Sequence, residues 1–335
     1  MRAFVISGPN EASVEIVDDP QPEPGEAVVE VRRVGVCGTD VAFFTGSMPF
    51  LADGRANYPM RIGHEWTGVV VAVGSPSDAA WIGRRVVGDT MLGCRRCARC
   101  ASGRQHTCAT RLEVGVLGGK AGAVAEAVCV PVTSLFELPD AVDDAAGALV
   151  EPGGNAVRAV EATALHGGDP LLIIGPGTIG LLAALVARSH GIDVHLVGRG
   201  ARNREFAATL GFANVWTWDS VPAVPFRAAI DASNDAGTPD RALGLIEPGG
   251  RLVCVGLAGE ASLIDTRRLV FNDVTVVGIL SGSPGMQATI DAYASGAVDP
   301  RPLVATTVGL DGVSAALAGG GSTNPGPKVH IDPRQ

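Results

Sequence analysis

A chain of 335 residues, 46% of them hydrophobic, is long enough to furnish two domain cores, and its net charge of −9 excludes a general nucleic-acid surface. Aromatic residues make up only 4%, so packing falls to Val, Leu, Ile and Ala, while 45 glycines and 22 prolines dispersed through apolar segments read as the turns of an α/β protein. Seven cysteines cannot all pair, and the apolar start Met1–Ile6 ends too soon for a signal peptide, so a cytoplasmic protein is expected.

Residues 1–151 read as a β-rich first domain. The β-branched runs 27–36 and 67–73 are bounded by Gly, Pro and charged turns. Cys37-Gly-Thr-Asp40 follows the first run and Gly63-His-Glu65 precedes the second. A lone buried Cys or a satisfied His is individually the commoner reading. If the fold unites Cys37 and His64 with a glutamate, either Glu65 or Glu151, three protein ligands form an open position of the catalytic-zinc kind. Phe43, Phe50, Trp66 and Met91 are read as core before they are read as lining of a cleft.

A lobe at about 90–110 carries Cys94-x2-Cys97-x2-Cys100-x7-Cys108, four soft ligands for a closed structural zinc site. An iron–sulfur motif would place its fourth cysteine after three residues and follow it with proline. Here Ala109 follows Cys108. The arginines in the loop, Arg95, Arg96, Arg99 and Arg104, read as a solvated face. Gly115-Val-Leu-Gly-Gly-Lys120 lacks the spacing and the following Ser or Thr of a phosphate loop.

From residue 152 to about 285 the rhythm becomes strand, helix, strand. The expected strands are Leu171–Ile174, Val194–Val197, Ala228–Ile230, Arg251–Val255 and Val274–Ile279, with helices over Ile179–Ser189 and Arg204–Leu210. The uncharged run Pro170–Ala187 has the length of a membrane span, but its central Gly-Pro-Gly favours a strand–turn–helix. Gly175-Pro-Gly-Thr-Ile-Gly180 sits where a dinucleotide fingerprint belongs. Gly175 permits the tight turn, Gly177 admits a pyrophosphate, Thr178 and Ile179 open the helix, and Gly180 allows close packing. The second strand ends at Gly198 where an NAD-binding acid would stand, and Arg199, Arg202 and Arg204 follow. NADP is therefore expected over NAD. Residues 286–335, with a helix over Met286–Ala294, are expected to return to the first domain.

In these residues the sequence resembles the zinc-dependent medium-chain alcohol dehydrogenases, particularly their polyol, threonine and sugar dehydrogenase branch. The resemblance rests on Cys37-Gly-Thr-Asp40, Gly63-His-Glu65, the Cys94/97/100/108 lobe, Glu151-Pro152 and Gly175–Gly180. It implies a Rossmann doubly wound parallel sheet inserted in a β-rich GroES-like catalytic domain, an active-site cleft between the two, and a homodimer or homotetramer. It implies two Zn2+ ions, one catalytic and one structural, with NADP or NAD moving hydride from the secondary alcohol of a polyol, sugar, cyclitol or hydroxy amino acid. Thr39 would pass the alcohol proton and Asp40 would orient the zinc ligands. Two positions depart from the pattern: Ala42 and Arg158 stand where relatives often carry histidine. A zinc-dependent carbonyl or aldehyde reductase is the nearest alternative, and a non-catalytic nucleotide-binding protein with structural zinc alone is the alternative of another class.

Overall fold

The computed structural model describes residues 1–319 and 326–335. The chain forms two compact units. The first holds Met1–Glu151, the segment from Val304 onward and Lys328–Gln335, and the second holds Pro152–Leu303.

The first unit is built on a seven-stranded sheet. Its order is Val304–Val308, Lys328–Ile331, Glu26–Gly35, Glu65–Val73, Arg85–Gly88 and Leu135–Glu137, with Ala127–Pro131 also paired to Glu26–Gly35. Only the two C-terminal strands run parallel to each other; they are stitched in beside Glu26–Gly35. Phe4, Ile6, Val29, Val31, Phe43, Ile62 and Trp66 fill the core beneath, so Phe43 and Trp66 are packing residues. An N-terminal hairpin, Arg2–Gly8 with Glu11–Ile16, covers part of this core.

The second unit is a six-stranded, wholly parallel sheet in the order Val215–Trp216, Asp193–Val197, Pro170–Ile174, Phe226–Asp231, Ile246–Cys254, Thr275–Gly278. Numbered by sequence, that is the doubly wound order 3-2-1-4-5-6. Leu171, Leu172 and Ile173 are all fully buried, which explains why this strand shows an unbroken apolar run rather than alternation. The Pro170–Ala187 run thus resolves into a strand and the helix Thr178–Ser189. Among the described residues no helix is long and apolar enough to cross a membrane.

The return to the first unit begins at Val304, not at 286. The helix Met286–Ala294 stays in the second unit because its apolar face is spent there. Gly153 approaches Tyr293 and Thr289 so closely that a Cβ would lie 2.4 and 2.5 Å from their side chains. The helix expected from Arg204 also starts earlier, at Ala201.

Candidate active site and metal centres

Cys37 ends the approach from the strand Glu26–Gly35 and caps the helix Gly38–Thr45. The cap is made by Asp40, whose Oδ2 accepts from the Cys37 backbone N–H at 2.8 Å. The other oxygen of Asp40 accepts from Gly63 N at 3.2 Å and lies 3.6 Å from His64 Nδ1. One carboxylate, 1% exposed, therefore ties together the two loops that carry Cys37 and His64. The 3.6 Å separation is beyond hydrogen-bond range, and among the described residues the buried Nδ1 has no hydrogen-bond partner. Burial alone would push the His64 imidazole down, but Asp40 and Cys37 outweigh it and hold its pKa well above the ordinary value.

Ligand atoms of Cys37, His64 and Glu65 all lie within 4.8 Å of one another, the donor set of an open zinc position. Glu151 stands in the first turn of Val150–Thr163 and is not in that set. Thr39, next to Cys37 in the first helical turn, keeps its hydroxyl free of hydrogen bonds among the described residues. Arg158, the position without a histidine, donates instead to the carbonyls of Leu280 and Ser281 and fixes a turn of the second unit.

The residue that sequence reasoning missed is Lys328. It is 2% exposed on the strand Lys328–Ile331, and its Nζ donates to Glu65 Oε2 at 2.6 Å and to Val36 O at 2.8 Å. Burial disfavours the charged lysine, yet the carboxylate beside it raises its pKa above the ordinary value. Gly35 faces Glu65 across the sheet, and a Cβ there would lie 2.2 Å from Glu65 Oε2. The glycine thus makes room for the carboxylate. The available signal was a single lysine opening an apolar strand, Lys-Val-His-Ile, near the C-terminus.

The cysteine lobe fits a tetrahedral ion. A metal–sulfur bond of about 2.3 Å implies sulfur–sulfur edges of about 3.8 Å. Cys97 Sγ lies 3.5 Å from Cys100 Sγ and 3.9 Å from Cys108 Sγ, and all four sulfurs lie within 4.8 Å of one another. None is in a disulfide. The Cys94 backbone N–H and the Thr110 hydroxyl lower Cys108 to about 6, which favours the thiolate that a metal requires.

In the second unit, Gly175 has φ +94° and is closed over by Ala232, whose carbonyl oxygen would lie 2.9 Å from a Cβ. Gly180 is forced as well, since a Cβ there would lie 2.0 Å from Gly175 O. Gly177, the cap of the helix Thr178–Ser189, has nothing within 4 Å of its Cβ position. Space beside the helix N-terminus, opened by Thr178 and Ile179, is therefore left for an anionic group. Gly198 leaves the second strand under Pro176, whose Cγ would lie 2.7 Å from a Cβ. Arg204 spends Nη1 on the carbonyls of Gly198 and Arg199, at 2.8 and 2.7 Å, leaving its other donors uncommitted among the described residues. Arg199 is engaged with Asp235 at 2.8 Å.

Comparison with known proteins agrees with both units. Residues 23–140 match the family model of the alcohol dehydrogenase GroES-like domain, and residues 178–295 match that of the zinc-binding dehydrogenase. The L-threonine 3-dehydrogenase of Streptomyces avermitilis is 32% identical over 340 residues, covering 96% of each chain. That of Sinorhizobium fredii is 30% identical over 362 residues, covering 99% of this chain and 98% of its own. Among solved structures, a Sinorhizobium meliloti 1021 protein described as a zinc-binding dehydrogenase and bound to NADP superposes with a TM-score of 0.89 at 27% identity, over 99% of both chains. A short chain alcohol dehydrogenase of E. coli CFT073 complexed with NADH superposes with a TM-score of 0.90 at 25% identity, over 99% of both chains.

Proposed function

The chain belongs to the zinc-binding alcohol dehydrogenases, and from that premise we propose that it oxidises a secondary alcohol of a polyol, sugar, cyclitol or hydroxy amino acid with NADP in preference to NAD. The observation that carries this reading is the convergence of Cys37, His64 and Glu65 around Asp40.

Cys37, His64 and Glu65 would hold the catalytic ion, and Cys94, Cys97, Cys100 and Cys108 the structural one. When bound, zinc supplies a Lewis acid for the alcohol oxygen and the nicotinamide supplies the hydride acceptor. Asp40 keeps the Cys37 and Gly63 loops in register, so that both ligands face one site. Thr39, two residues after Cys37, offers a free hydroxyl among the described residues and would take the substrate proton outward. With Ala42 in place of a histidine, that proton leaves through water. Lys328 neutralises Glu65 and fixes its carboxylate orientation. The NADP preference rests on Gly198, which brings no negative charge to the end of the second strand, and on the pinned guanidinium of Arg204.

The same reading includes a homodimer. Leu257, Leu263, Val270 and Phe271 are each more than three-quarters exposed, and Val276 on Thr275–Gly278, the edge strand of the six-stranded sheet among the described residues, is 39% exposed. An open edge flanked by apolar side chains suits a two-fold partner. Seven cysteines without a disulfide support a cytoplasmic setting.

Metal analysis with kinetics tests the catalytic reading. Wild-type protein should hold two zinc ions per chain, and Cys37→Ser should hold one, keep its fold and lose turnover. Turnover of polyols, sugars, cyclitols and amino alcohols by fully metal-free protein would overturn the proposal.

A further inference from the structure

Glu113 places a carboxylate beside the catalytic ligands for which the fold supplies no donor. It is half-buried on the strand Leu112–Glu113, opposite Met91. The turn that follows fixes its backbone: Glu113 O accepts from Val116 N and Leu117 N, at 3.0 and 2.9 Å, and Glu113 N donates to Leu117 O at 3.0 Å. That turn rests on the loop carrying His64. Gly115 has φ +70°, and a Cβ there would lie 2.8 Å from Gly63 O and 2.9 Å from Gly63 N. Neighbouring carboxylates are all provided for. Asp40 accepts from Cys37 N and Gly63 N, Glu65 from Lys328, and Asp89 from Met91 N and Gln105 Nε2, both at 2.9 Å. The Glu113 side chain makes no hydrogen bond and no ion pair among the described residues, not even with Arg111 two residues before it. Burial pushes its carboxyl above the ordinary pKa; His64 and Arg111 are close enough to pull it down and Asp89 to push it up, and burial wins. A metal-bound imidazole is neutral, so the pull of His64 goes when zinc binds.

Resting on the dehydrogenase reading, we infer that the substrate carries an ammonium group close to its reacting hydroxyl and that Glu113 receives that group. Among secondary alcohols this selects an amino alcohol: a hydroxy amino acid, an amino sugar or an aminocyclitol, rather than a neutral polyol or sugar. A carboxylate drawn partly out of water without a donor is unfavourable, and a bound ammonium removes that penalty with a charge and three N–H donors. A hydroxyl in the same place brings one donor and no charge, so the two substrates are told apart by electrostatics rather than by size. Glu113 is not among the ligand set Cys37, His64 and Glu65, so it sorts substrates while those residues hold the ion.

Zinc-loaded, full-length enzyme is assayed with NADP and with NAD on matched pairs that exchange an ammonium for a hydroxyl. Isopropanolamine is set against propylene glycol, and vicinal aminocyclohexanol against vicinal cyclohexanediol. L-Threonine, which adds a carboxylate to isopropanolamine, separates an amino-acid source of the ammonium from the ring source. The amine of a pair should exceed its diol in kcat/KM by about tenfold or more, chiefly through KM. Glu113→Gln should cut that amine-over-diol ratio by about tenfold, the value of a charged hydrogen bond, while Glu113→Asp keeps part of it. The ratio is internal to each protein, so any loss of folded enzyme cancels from it. A ratio unchanged by Glu113→Gln, with amines and diols lowered alike, would make the carboxylate structural and overturn the inference. Diols oxidised as efficiently as amines by the wild type overturn it too, and leave the dehydrogenase reading standing. No zinc-dependent turnover of any of these alcohols overturns both.

Discussion

Lys328 donates to Glu65 at 2.6 Å across 263 positions of sequence, with both side chains almost completely enclosed. A pair this deep stabilises little compared with an apolar pair of the same shape, but each member depends on the other. Lys328→Met should therefore cost about 3–5 kcal/mol, because it leaves the Glu65 carboxylate buried and alone. Lys328→Met with Glu65→Gln should recover most of that loss. Urea unfolding of the metal-free proteins measures both, and equal stabilities of the single and double variants would show that the pair is not the determinant.

Gly198→Asp tests the cofactor preference. The new side chain brings a carboxylate to the place where a 2′-phosphate would lie, so kcat/KM with NADP should fall by about tenfold or more. NAD should gain less than that from the single change, since the added Cβ meets Pro176 at 2.7 Å and must displace its ring. Pro176→Ala with Gly198→Asp should release the gain. A wild-type enzyme more efficient with NAD than with NADP removes the premise.

His330 gives the fold an acid limit. It is fully buried, neither ring nitrogen finds a partner among the described residues, and burial together with Lys328 and Arg33 lowers its pKa to about 3. The unfolded chain takes up a proton near 6.5 that the folded chain refuses, so stability declines as pH falls from about 6.5 towards 3, at about 1.4 kcal/mol per pH unit. His330→Leu should melt with a shallower pH dependence across that window. Parallel profiles for the two proteins would rule the histidine out as the cause.

Phe271→Glu tests the sheet edge. It places a charge beside the exposed Val270, four residues before the edge strand, and should convert a dimer to a monomer in light scattering after size exclusion, with little change in helix content. A wild-type monomer at micromolar concentration would dismiss the interface.

The Rossmann-like unit was the more legible part of the sequence. A strand buried on both faces, such as Leu171–Ile174, announces itself by an unbroken apolar run, and the fingerprint glycines follow it directly. The cysteine lobe was equally plain because its ligands lie close together along the chain. The Cys37–His64–Glu65 set could be suspected but not assembled, since an ordinary buried Cys or His reads the same way until Asp40 is seen bridging their loops. Lys328 was hidden for the same reason at longer range. Nothing local distinguishes a lysine that seeks a buried glutamate from one that opens an exposed strand. Where the chain leaves the second unit was misplaced because Met286–Ala294 looks like any amphipathic helix, and only its packing on Gly153 shows which unit it serves.

The interleaving of the two units sets an order of events during synthesis. A ribosome delivers Glu65 long before Lys328; at about 5–20 residues per second, 263 positions take on the order of 10–50 s. Through that interval the first unit lacks both C-terminal strands and the cation that its buried carboxylate needs, and the whole of Pro152–Leu303 in the second unit is made within it. Once Leu303 has been added, the nascent chain holds the strands of the second unit while the first still waits for Val304–Val308 and Lys328–Ile331. Lys328 thus makes the burial of Glu65 conditional on synthesis having passed through the second unit.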